Sequence, residues 1–191
     1  MTRHSRASPE VPRARRWIHA AVWLCVAATT TIASAQSLSP AKTKIMKQLD
    51  LWTLVDYLPT RTPFDKDKIE KALRIVLVQD EELATGSFDA FKGGPVLLAD
   101  EAQVESASLR VSRTEPVDKW ILNLSITGRC VARSAVLARV PRLQITGAPR
   151  GRSLDEQTYW SSKEAWGSIS FGFAERHPDC LSSVLFTGPK W

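Results

Sequence analysis

Residues 120–127 read Trp120-Ile121-Leu122-Asn123-Leu124-Ser125-Ile126-Thr127. Trp120, Leu122, Leu124 and Ile126 alternate with Ile121, Asn123, Ser125 and Thr127, and a period of two places each set on one face of a β-strand. Gly128 ends the run. Working outward, Val104 to Ser112 predicts a strand around Leu109 and Val111, and Pro95 to Ala99 is a short apolar run behind Gly93-Gly94. Downstream, Ser134 caps a short helix over Ala135 to Val140 that Pro141 closes, and Leu143 to Thr146 reads as a strand. Trp166, Ile169, Phe171 and Phe173 mark another strand, irregular at Gly167, and Leu181 to Phe186 the last.

Before Gly93-Gly94 the period is helical. Ser39-Pro40 suits an N-cap and first helical position, and Ile45, Leu49 and Trp52 then recur on one face until Pro59 stops the helix. A second helix starts at Asp65 and carries Asp67 and Glu70 in its first turn, where the helix dipole favours acids. Its buried face is Ile69, Leu73, Val76 and Leu77. The expected fold is therefore α+β: two N-terminal helices packed on a mostly antiparallel sheet of about five strands, with one disulfide. In element order alone this is loosely similar to small periplasmic inhibitor and assembly-factor domains, and no motif carries the resemblance further.

The chain of 191 residues has 26 basic and 20 acidic side chains, a formal charge of +6. The excess is concentrated at the start. Residues 1–35 hold Arg3, Arg6, Arg13, Arg15 and Arg16 against Glu10, and the rest holds 21 basic and 19 acidic side chains. The arginines precede an apolar run, Trp17 to Ala28, that closes on Ala33-Ser34-Ala35. A basic head, an apolar middle and a small-x-small end are the parts of a secretory signal peptide, so cleavage after Ala35 is expected. The alternative of an uncleaved anchor rests on 19 residues from Trp17 to Ala35, diluted by Thr29, Thr30, Thr31 and Ser34. Residues 36–191 are then a single exported domain, nearly neutral, with a periplasmic or extracellular address. A basic stripe for nucleic acid is absent from that domain, so no nucleic-acid partner is expected, and a membrane contact only through the signal segment.

Cys25 departs with the signal, leaving Cys130 and Cys180. An even pair in an exported chain predicts a disulfide. Closing so long a loop restricts the unfolded chain by roughly 4 kcal/mol in the chain-entropy account.

The catalytic inventory is thin. His177 is the one histidine after residue 35, and it sits in His177-Pro178-Asp179-Cys180, which reads as a turn. No nucleophile elbow, zinc-binding His-Glu-x-x-His or phosphate loop occurs. The acid pairs Glu81-Glu82, Asp100-Glu101 and Asp155-Glu156 are chain neighbours that point apart, so a hydrolase would need distant carboxylates gathered with His177 by the fold. No catalytic residue, cofactor or metal ligand is assigned, and the inventory points away from an enzyme.

Residues 147–164 read as a long polar connection holding the candidate binding residues Arg150, Arg152, Asp155, Glu156, Tyr159 and Trp160. Arginine and aromatic side chains dominate binding hot spots. Two arginines can fork onto carboxylates, and the aromatics can fill a partner's pocket or stack on a sugar. The competing structural reading packs Tyr159 and Trp160 under the loop and pairs the arginines with the acids. The functional expectation is a non-catalytic exported protein that binds another protein in its compartment, as an inhibitor or immunity-type partner. The alternatives are a cell-wall or carbohydrate-binding module using Tyr159 and Trp160, and a hydrolase built around His177.

Overall fold

The computed structural model describes residues 44–45, 49–114 and 119–190. The expected signal peptide and the helix start at Ser39-Pro40 lie outside the described residues. Among the described residues ten strands form one sheet: β1 (Lys44–Ile45), β2 (Val78–Gln79), β3 (Phe88–Gly93), β4 (Val96–Leu97), β5 (Ala102–Ser112), β6 (Trp120–Gly128), β7 (Gln144–Gly147), β8 (Gln157–Glu164), β9 (Gly167–Ala174) and β10 (Leu181–Thr187). The main order is β1-β4-β5-β6-β10-β9-β8-β7, and β1 alone joins in parallel. The long β5 pairs along one edge with β4 near its start and β3 near its end, and β2 extends β3. Among the described residues no helix is long and apolar enough to cross a membrane.

The expected α+β fold with two N-terminal helices on about five strands is corrected to a mostly β protein. Its helices are short: α1 (Leu51–Tyr57), α2 (Lys66–Leu73) and α3 (Arg133–Arg139). Asp50, not Ser39, caps α1, its carboxylate accepting the Thr53 N–H at 2.8 Å. Pro59 does not stop the chain dead, because Leu58–Arg61 continues as a 3-10 turn with the proline near its start, where a missing N–H does no harm. Asp65 caps α2 as expected, but the left-handed Arg74 ends it after Leu73. Beyond that point Val76 is exposed and Leu77 buried, so both leave the expected helical face.

Four strands, β1, β2, β3 and β8, fall outside the expected set, and the two longer ones come from segments without a readable period. In β3, Ala90 is buried on one face while Phe91 is half-buried on the other. The second half of the expected 147–164 connection is β8, paired along its length with β9. Residues 157–161 of β8 are all half-buried, which erases the contrast that alternation depends on.

Register then sorts the side chains. Leu109, Leu122, Phe186 and Ile169 form one cross-strand row, and Ala107, Leu124, Val184, Phe171 and Trp160 form the next. These rows meet Leu51, Leu54, Leu58, Phe64, Ile69 and Leu73 in a single core. Phe64 seats against Trp120 at 4.4 Å between ring centroids, and Trp120 stacks on Trp166 at 6.1 Å. The opposite rows are small and polar: Ser106, Ser125, Ser183, Gly172 and Tyr159, then Ser108, Asn123, Leu185, Ser170 and Ser161.

Candidate functional site

The expected Cys130–Cys180 disulfide is present, with Cα atoms 5.2 Å apart. It ties the segment after β6 to the start of β10, beside the Ala132–Cys180 bridge. Here the β9–β10 turn carries His177-Pro178-Asp179. Asp179 is held by Arg133, whose guanidinium lies 2.9 Å from the carboxylate and whose N–H donates to the Asp179 carbonyl.

The loop from β7 to β8 closes onto this turn. Its two acids are both spent in doing so. Glu156 accepts the backbone N–H groups of Arg150, at 2.5 Å, and Arg152, at 3.4 Å. Asp155 pairs with Arg176 at 2.6 Å, and the Arg176 N–H donates to the Leu154 carbonyl at 2.9 Å. Gly151 takes φ +75°, the left-handed turn that lets Arg150 and Arg152 both aim their N–H groups at one carboxylate. The competing pairing of side chain with side chain is therefore not what the loop does. Neither guanidinium, Arg150 nor Arg152, has a partner among the described residues, and both are exposed in the same loop as Leu154, which is 64% exposed.

Beside this clamp lies a cavity of about 510 Å³, lined in part by Ser125, Arg129, Asp155, Gln157, Arg176 and His177. The fold thus brings Asp155 of the loop to the same hollow as His177. It does not assemble a hydrolytic relay there: Asp155 is engaged by Arg176, and the His177 side chain has no hydrogen bond or ion pair among the described residues. No group of three His, Cys, Asp or Glu side chains is placed to hold a metal among the described residues.

Tyr159 and Trp160, adjacent in sequence, are divided by β8. Trp160 joins the core on the helix side, and its indole N–H is buried without an acceptor. Tyr159 faces the polar side, its ring beside Gly147 and over Gly172, where any Cβ would come within 2.9 Å of it and closer to Gln157 and Ser183. The two rings cannot form one platform.

Sequence reasoning missed a second hollow, about 750 Å³, on the helix side. Asp50, Trp52, Asp100, Arg129 and Arg139 line it. Arg139 pairs with Asp56 at 2.6 Å and lies 5.1 Å from the centre of the Trp52 ring. Asp100 accepts the Leu51 N–H at 3.3 Å through one oxygen, while its other oxygen is buried without a donor. The Thr53 backbone N–H holds the Asp50 carboxyl below its ordinary value, a bond whose pull outweighs the small cost of burial. The Glu175-Arg176-His177 run in a two-strand turn was the available signal for Arg176; nothing local marked Asp100 or Arg139.

No protein-family model, no curated protein and no solved structure matches the chain.

Proposed function

We propose that this is a non-catalytic exported protein that binds another protein, in the manner of an inhibitor or immunity-type partner, through the loop between β7 and β8. One observation carries the reading: the loop spends Asp155 and Glu156 on its own closure and presents Arg150 and Arg152, without side-chain partners among the described residues, together with an exposed Leu154. A surface held in advance loses little freedom on binding, and two free guanidinium groups with an apolar residue in one loop suit a partner that offers acidic groups beside an apolar pocket. The expected export route and the Cys130–Cys180 bridge support a partner met outside the cytoplasm.

The test is affinity capture from the exported fraction of the source cells with the full chain, beside the variant carrying Arg150→Glu and Arg152→Glu. Loss of a captured protein in the variant, with Trp160→Phe capturing as before, supports the reading. Equal capture by all three forms overturns it.

A further inference from the structure

The face of the sheet opposite the helices holds a cavity that neither the loop clamp nor the core uses. It measures about 480 Å³, within the range of small-molecule pockets, and is formed by β7, β8, β9 and the approach to β7. Arg142 and Lys163 line it, both exposed and both without an ion-pair partner among the described residues. No carboxylate lines it. Glu164, the nearest acid in sequence, is not itself in the lining and is engaged by the hydroxyl of Ser162, a lining residue, which donates to it at 2.8 Å.

The floor is a chain of hydroxyls whose protons can be counted. Ser161 donates to Ser170 at 2.7 Å. That uses the single Ser161 proton, so the 2.6 Å contact between Thr146 and Ser161 must be donated by Thr146. Every proton in the chain then runs toward Ser170, and the Ser170 proton itself has no acceptor among the described residues. Ser170 is only 8% exposed, and the cavity is the place open to that proton. A buried donor left unused costs free energy that an acceptor atom placed there recovers. A water molecule suits one donor. The coincidence of that donor with two unpaired cations and no carboxylate selects a negatively charged acceptor.

Gln144 and Ser168 also line it with groups that both donate and accept. Neutral two-way hydrogen-bonding groups suit the hydroxyls of a ring, and the cations suit an oxyanion attached to it.

We propose that this cavity binds a small anionic sugar. The oxyanion lies between Arg142 and Lys163 and accepts the Ser170 proton, and the ring hydroxyls meet Gln144 and Ser168. The site is independent of the protein-binding loop.

The experiment is an amide chemical-shift titration of the full chain with glucuronate, glucose and inorganic phosphate. Glucuronate is expected to shift residues 142–147 and 161–170, and glucose to bind at least about tenfold more weakly. Each charge-assisted bond removed weakens binding by about tenfold or more, so Arg142→Ala with Lys163→Ala should lose about a hundredfold, and Ser170→Ala about tenfold. The two cations are exposed, so that double variant keeps the fold even if Ser170→Ala does not. Arg150→Glu with Arg152→Glu is expected to leave the titration unchanged. Glucose binding as tightly as glucuronate, phosphate binding as tightly as glucuronate, shifts confined to another region, or no shift with any probe would each overturn the proposal.

Discussion

The two faces of the sheet are made from the same strands and obey different rules. On the helix side, Phe64 fits against Trp120 and Phe186 with almost no exposure, so shape determines which residues are allowed. On the other side, serines and glycines keep the surface low, and side-chain hydrogen bonds determine the arrangement. The contrast separates residues that hold the fold from residues free to meet something else, although both sets alternate along the same strands.

Perturbing each face should therefore give different penalties. Trp120→Ala removes the largest fully buried side chain and is expected to cost about 3–5 kcal/mol in denaturant unfolding, against under about 1 kcal/mol for Ser108→Ala on the open face. Comparable losses from the two would erase the distinction. Reducing Cys130–Cys180 should lower stability by about 2–4 kcal/mol, measured as a denaturation midpoint with and without reductant.

Gly172→Ala places a methyl group where Gln157, Ser183 and the Tyr159 ring already stand, and about 1–3 kcal/mol of overpacking is expected on the otherwise tolerant face. This variant sharpens the comparison, because it shows where the open face is packed to its limit. Asp50→Ala removes the α1 cap and should cost about 1 kcal/mol near neutral pH. The Asp50 carboxyl titrates lower folded than unfolded, so its contribution is full above the ordinary aspartate range and disappears as pH falls through the folded value. Wild type and variant should therefore converge in acid, and a constant gap would break the account. The smallest effect belongs to Trp160→Phe, which deletes a buried N–H that lacks an acceptor and should leave stability nearly unchanged.

How much of this was legible in sequence follows from the same contrast. Where one face is dry and the other polar, as in β6, the alternation could be read directly, and β5, β9 and β10 were readable nearly as well. In β8 both faces are half-covered, so Gln157 to Glu164 looked like a connection and Tyr159 and Trp160 looked like one surface. Their division depends on pairing with β9, a contact made across a turn. The helices failed differently. Apolar spacing around Leu49 to Leu58 was real, but Asp50 and Arg74 set the limits through backbone geometry that spacing does not encode. The disulfide follows from an even cysteine pair in a chain expected to be exported, and the Cys130–Cys180 bond is present. The candidate loop was found by composition, whereas its closing partner, Arg176, comes from a different hairpin. The Ser170 proton could be found only from the direction of hydrogen bonds between strands.

The Cys130–Cys180 bond also gives the chain a covalent ring containing α3 and the strands β7, β8 and β9. The exposed Arg150 and Arg152 of the β7–β8 loop lie inside that ring, at the sites where a trypsin-like protease cuts. A single nick beside Arg150 or Arg152 opens the ring without releasing either piece. The cut protein should therefore run as one species on a non-reducing gel and as two once the bond is reduced.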